Sequence, residues 1–307
     1  MLRRILVGLD GSPLAETILD PVQALARRLG AEIVLLYVTH VPEKVPAAPL
    51  GPALDEIVAQ DRERARAYLE GVARKVAEAG VAVRTAVCAG EAAAEIVRYA
   101  ERERIDLIAL ATHGRSGMQR WLYGSVTDAV LHTTTTPLLL LRPTGVGARK
   151  PQELRRIVVP LDGSPLAEAV LPVAEELARA LAAPIVLLRV VEFTGLAFGV
   201  EPFGSLYPDY QGIFDVLREA AERYLASVAA DLRGKGLTVE TRASVGSPVE
   251  SITADASEHP GSVIVMSTHG RSGWRALMLG SVARRVVLLA SAPVLVVRPA
   301  EAQKPPA

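Results

Sequence analysis

Short unbroken apolar runs alternate along this chain with longer stretches whose apolar residues recur every three or four positions. Arg4–Leu9 reads as a buried strand. Pro13–Leu29 reads as an amphipathic helix, with Ser12 as its cap and Pro13 at the first helical position. Glu32–Val38 is a second strand, Leu54–Ala79 a long helix with a charged face, and Val81–Val87 an alternating third strand. Ala92–Glu103 is a helix, Asp106–Ala111 a fourth strand, Ser125–Thr133 a helix and Leu138–Arg142 a fifth strand. Strands apolar on both faces and separated by helices predict a parallel sheet covered on both sides. Right-handed crossovers then give an open, doubly wound α/β sandwich of about five strands.

The same order occurs twice. Val7–Val38 aligns without a gap to Val159–Val190, and the hexapeptide THGRSG occurs at Thr112–Gly117 and again at Thr268–Gly273. A period near half the chain is a domain duplication rather than a solenoid. The expected domains are residues 1–143 and 154–299. Arg142–Pro151, rich in Gly, Pro and charge, is the linker, and the tail after Arg298 is expected to be disordered.

Composition narrows the class. Lys plus Arg equals Asp plus Glu at 34 each, and neither half is strongly basic, which argues against a general nucleic-acid or membrane-surface binder. Aromatic residues are only 4%, so the core must be aliphatic. Cys88 is the only cysteine, so the chain contains neither an internal disulfide nor a cysteine metal site. With no run of about 18 apolar residues, the expected location is the cytoplasm.

Ligands of doubly wound sheets bind beyond the carboxyl ends of the strands, where the strand order reverses. Three segments of each repeat should converge there. Asp10 follows the first strand, Val38 ends the second, and Thr112–Gly117 follows the fourth; the second repeat offers Asp162, Val190 and Thr268–Gly273. Nine residues separate Gly114 from Gly124-Ser125, and nine separate Gly270 from Gly280-Ser281. Each Gly-Ser pair opens a helix, so the N–H groups of Ser125 and Val126, and of Ser281 and Val282, are placed to meet an anion. Arg115 and Arg271 would add charge. The glycines suit either a phosphate cradle or ordinary loop geometry. Either aspartate could accept a ribose hydroxyl, help hold a hydrated metal, or bond its own backbone in an Asx turn. His113 and His269 are candidate general bases or turn-stabilising donors. No G-x-S-x-G and no H-E-x-x-H accompanies them.

These residues resemble the universal stress proteins in their tandem, two-domain form. The family signature is G-2x-G-9x-G-[ST]. Its later glycines match Gly114 and Gly124-Ser125, and Gly270 and Gly280-Ser281; Ala111 and Ser267 stand at the first glycine. The resemblance implies a Rossmann-like fold of the adenine nucleotide α-hydrolase type, and membership of the ATP-binding branch with two ATP sites. It carries the nucleotide contacts onto Gly8, Leu9, Asp10 and Val38, and onto Pro160, Leu161, Asp162 and Val190, with Gly117 and Gly273 in the adjoining loops. ATP is the expected ligand, Mg2+ its companion, and any hydrolysis slow. The resemblance further implies pairing of the two domains through their fifth strands, Leu138–Arg142 and Val294–Arg298, with association of two chains as a further step and an unknown downstream protein as partner.

Two other classes compete. Against a nucleotide-hydrolysing enzyme of the α-hydrolase type stands the absence, after the first strand, of the S-G-G-x-D-S loop of the pyrophosphatase branch. An RNA binder could use GRSG as a G-x-x-G loop, but here the loop follows a parallel strand and the net charge is zero. All four phenylalanines, Phe193, Phe198, Phe203 and Phe214, follow the second strand of the second repeat with Tyr207 and Tyr210. That segment is expected to be a lid or interface patch, or equally a cluster packing its own loop.

Overall fold

The computed structural model describes residues 2–40, 51–112, 124–143, 153–192, 210–268 and 279–299, the side chains of 51–55, 210, 211 and 213 aside. The chain divides into two units, Met1–Glu153 and Leu154–Ala307. Among sequence expectations, Gly114, Arg115, Gly117, Gly270, Arg271, Gly273, both loop histidines, the linker core 144–150 and Phe193–Tyr207 lie outside the described residues.

Unit 1 runs β1 (Arg4–Leu9), α1 (Pro13–Glu16), α2 (Leu19–Leu29), β2 (Glu32–Thr39), α3 (Gly51–Glu78), β3 (Val83–Ala89), α4 (Ala92–Arg102), β4 (Leu107–Ala111), α5 (Ser125–Thr133) and β5 (Leu138–Leu141). Its strand order is β3-β2-β1-β4-β5, with the pairs β1–β2, β1–β4, β2–β3 and β4–β5 all parallel. Unit 2 repeats this with β6 (Arg156–Pro160), α6 (Pro165–Glu168), α7 (Leu171–Leu181), β7 (Ile185–Val191), α8 (Tyr210–Gly234), β8 (Val239–Val245), α9 (Pro248–Glu258), β9 (Ser262–Ser267), α10 (Ser281–Leu289) and β10 (Val294–Val297). Its order is β10-β9-β6-β7-β8. Each unit is thus a doubly wound α/β fold of the Rossmann-like kind. Its order reverses between β1 and β4 in unit 1 and between β6 and β9 in unit 2.

The core follows from the apolar runs. Ile5, Leu6 and Val7 of β1, Leu107, Ile108 and Ala109 of β4, and Leu139 of β5 have no exposed surface. On α3 the buried residues Ala65, Leu69, Val72 and Val76 recur at helical spacing, which lays one face on the sheet. Each such leucine stabilises the fold by about 1.5–3 kcal/mol through area removed from water.

One predicted element differs. Pro13–Leu29 is two helices, broken at Thr17-Ile18. Pro21 has no N–H to offer the Thr17 carbonyl four residues back, so the ladder cannot run through. The Thr17 hydroxyl donates instead to the Leu14 carbonyl at 2.6 Å. Unit 2 breaks at the same place, before Pro172.

Candidate functional site

At the carboxyl ends of the strands each unit has a cavity. In unit 1 it measures about 260 Å³ and is lined by Gly8, Leu9, Asp10, Val38, Ala111, Gly124, Ser125 and Val126. In unit 2 it measures about 660 Å³ and is lined by Pro160, Leu161, Asp162, Val190, Ser267, Gly280, Ser281 and Val282. The structure therefore brings together every described residue that the sequence nominates, although these are scattered over more than a hundred positions in each repeat.

Local chemistry explains each placement. A Cβ at Gly8 would lie 2.6 Å from Leu110 Cδ2, so this strand position has room for glycine alone unless Leu110 moves. The Asx turn is present: the Ser12 N–H donates to Asp10 Oδ1 at 2.9 Å, and the Ser164 N–H donates to Asp162 Oδ1 at 2.9 Å. Gly11 and Gly163 turn the chain at φ +81° and +84°, a region that side chains with a Cβ avoid. The carboxylates are thus fixed by the turn and also face the cavity, so the turn and the ligand-facing position coexist. The hydroxyls of Ser12 and Ser164 cap the following helices, accepting from Ala15 and Ala167 N–H at 3.1 and 3.2 Å.

The other wall is the start of α5 or α10. The Gly124 N–H is tied to the Thr112 carbonyl at 2.7 Å, and the Gly280 N–H to the Thr268 carbonyl at 2.8 Å. Gly124 and Gly280 stand at the cap positions and have no side chain to bond the first N–H groups. The first N–H groups of each helix therefore border the cavity with the positive end of the helix dipole behind them, an arrangement that attracts anions.

Beneath the rim the units diverge. In unit 1 Tyr37 and Tyr68 meet edge to face, ring centres 6.0 Å apart, and the Tyr68 hydroxyl donates to Glu16 at 3.0 Å. In unit 2 Arg189 replaces the first tyrosine and stacks 4.7 Å from the centre of the Tyr224 ring, whose hydroxyl donates to Glu168 at 2.7 Å. Burial and then the neighbouring glutamate push both phenols above their ordinary range, with Arg189 opposing the shift in Tyr224. Arg189, Leu217 and Ala220 also line the larger cavity. Sequence reasoning missed them, though the repeat alignment shows the signal: Tyr37, Asp61 and Arg64 stand at the corresponding positions of unit 1.

Comparison with known proteins now decides the family. A sequence profile described as Universal stress protein family matches residues 1–142 and again 153–298. The chain belongs to the universal stress protein family. A universal stress protein of Bacillus subtilis is 30% identical over 148 residues, 46% of this chain and 100% of its own length. One from Mycolicibacterium smegmatis is 24% identical over 302 residues, 96% of this chain and 97% of that protein, so the tandem form is shared. The crystal structure of a universal stress protein from Archaeoglobus fulgidus superimposes with a TM-score of 0.67 at 22% identity, covering 97% of each chain, a likeness of fold. In this universal stress protein no helix among the described residues is long and apolar enough to cross a membrane.

Proposed function

We propose that this universal stress protein is an adenine-nucleotide-binding regulatory protein of the ATP-binding branch, with domains at 1–143 and 154–299 and one site in each. The observation that carries this reading is the cavity found twice, each bounded by a turn-fixed aspartate, the end of a neighbouring strand and an uncapped helix start. In this reading the base lies against Val38 or Val190, the ribose faces Asp10 or Asp162, and the phosphates meet Ser125 or Ser281. Mg2+ would travel with the phosphates, since a single carboxylate among the described residues lining the unit 1 cavity suits a hydrated ion better than a protein cage. In this reading any ATP turnover is slow. The single cysteine suits a cytoplasmic protein. β5 and β10 end their units' strand orders and are wholly apolar, and they are the surfaces we propose for pairing of the two domains.

Gly124→Asp and Gly280→Asp test the site. Both positions have extended backbone that aspartate adopts, and aspartate is a favoured cap, so stability should hold or rise. The new carboxylate would occupy the anion position. Calorimetric ATP affinity at the altered site should fall at least about tenfold. Unchanged affinity in both variants would refute the placement.

A further inference from the structure

Unit 2 has a second cavity of about 380 Å³. It shares Glu192, Pro248, Ser281 and Val282 with the first, so the two spaces adjoin. Beyond that shared wall stand Ser247, Val249 and the exposed Arg285. A ligand with a phosphate at Ser281 would have room beyond it, and further phosphates would approach a guanidinium.

The corresponding positions of unit 1 are more acidic. Unit 1 carries Asp10, Tyr37, His40, Glu91 and Ala129 where unit 2 carries the cavity-lining Asp162, Arg189, Glu192, Ser247 and Arg285. With histidine neutral, the first set bears two negative charges and the second is neutral. The loops that follow the fourth strand of each unit carry the same charge: 113–123 and 269–278 each contain two arginines and no carboxylate, whereas after the second strand 41–50 is neutral and 193–209 carries Glu201 and Asp209. Position 91 is the sharpest contrast. The Glu91 carboxylate accepts from the Ala93 and Ala94 N–H groups at 3.1 and 2.7 Å, so a negative charge already fills the start of α4. In unit 2 a neutral hydroxyl, Ser247 Oγ, lies 3.5 Å from the Glu250 N–H.

Arg189 is a fixed cation at the other end of the cavity. Its guanidinium lies between the Tyr224 ring, 4.7 Å away, and Gly163, whose absent Cβ would meet Nη1, Nη2 and Cζ at 3.1–3.3 Å. Such a sandwich holds the charge in place at little further entropic cost.

Resting on the nucleotide reading above, we propose that unit 2 selects polyphosphate nucleotides and unit 1 nucleotides of low charge. Arg285 is the specificity-determining residue that meets the terminal phosphate, and Arg189 offsets the Asp162 carboxylate. In unit 1 Glu91 and Asp128 adjoin the lining residues Ala92 and Thr127 and put negative charge near the same path, so a monophosphate is preferred over a triphosphate. A single chain then fills its two sites according to the ratio of adenosine triphosphate to monophosphate.

The test is calorimetric titration of the full chain with ATP, AMP and inorganic triphosphate. Gly124→Asp isolates unit 2 and Gly280→Asp isolates unit 1. With unit 1 closed, ATP should bind at least about tenfold tighter than AMP at low salt, and Arg285→Ala should bring that ratio close to one. Arg285 is exposed, so its loss should leave the fold intact. With unit 2 closed, AMP should bind tighter than ATP, and Ala129→Arg should shift the ratio about tenfold toward ATP. Triphosphate binding that depends on Arg285, without any adenine dependence, would support this selectivity while refuting the adenine reading. Equal ratios in the two units, or nucleotide binding indifferent to Arg285→Ala, would overturn the inference and leave the nucleotide reading standing. Binding of neither nucleotides nor triphosphate would overturn both.

Discussion

Units 1 and 2 share a strand order, a broken first helix and a capped turn, yet they handle the same arginine in opposite ways. Arg4 opens β1 exposed, its Nη1 donating to the Glu103 carbonyl at 2.7 Å. Arg156 opens β6 at the matching position and is 8% exposed. The difference is one helix position: unit 1 has Tyr99 where unit 2 has Asp255. Asp255 takes Arg156 in a two-pronged pair at 2.5 and 3.1 Å and accepts from Arg242 at 2.6 Å. In unit 1 the comparable charges stay near solvent, with Arg84 3.5 Å from Glu32 and 3.4 Å from Glu103. Duplicated folds can therefore keep every backbone element while moving an ion pair from surface to core. The same freedom operates at the cavities, where Arg189 stands at the position of Tyr37.

The largest effect should come from that buried pair. Asp255→Ala leaves Arg156 buried without its carboxylate and should destabilise unit 2 by about 3–5 kcal/mol, read by denaturation with hydrogen exchange of unit 2 amides. Asp255→Tyr combined with Arg242→Ala rebuilds the side chains of unit 1 and should recover more than half of the loss. No recovery would break the comparison.

Gly163→Ala and Gly11→Ala should differ in degree. Both strain a left-handed turn by about 1 kcal/mol, but only the first pushes on a guanidinium, and should cost about 1 kcal/mol more. Adding Arg189→Tyr should abolish the excess, which thermal melts of the four variants would show.

A smaller effect concerns the helix ends. Gly30 closes α2 in the left-handed conformation at φ +64°, whereas Ala182 closes α7 at φ +50°. Ala182→Gly should stabilise unit 2 by about 0.5–1 kcal/mol, and Gly30→Ala should destabilise unit 1 by a similar amount.

The smallest is a pH effect confined to unit 1. The Arg102 hydrogen bond, with Arg84 behind it, holds the Glu103 carboxyl below its ordinary 4.5. A carboxyl depressed in the folded state adds its stability above the unfolded value and loses it as pH falls through the folded one. The acid-side decline of unit 1 stability should therefore lessen in Glu103→Gln. An identical acid profile would contradict the pairing.

Much of this was legible in the sequence because period carries local structure. Arg4–Leu9 and Ser125–Thr133 form the predicted elements with the predicted bounds. The strand-end residues meet because doubly wound topology puts them at one edge. What was not legible depends on contacts distant in sequence. Arg156 and Asp255 are 99 residues apart, and neither residue alone announces its partner. The break before Leu19 was readable from Pro21, but amphipathic spacing continues across it and masked it. Arg189 sits in a strand whose neighbours are apolar, and only its stacking on Tyr224 shows why a charge is tolerated there.

The central claim, one nucleotide site in each unit, is tested most directly by equilibrium dialysis of adenine nucleotide against the full chain, with Gly124→Asp and Gly280→Asp alongside. ATP and AMP together should saturate near two per chain, and each variant should remove one. Saturation at one, lost in a single variant, would contradict a site in the other unit. No saturable binding would contradict nucleotide binding altogether.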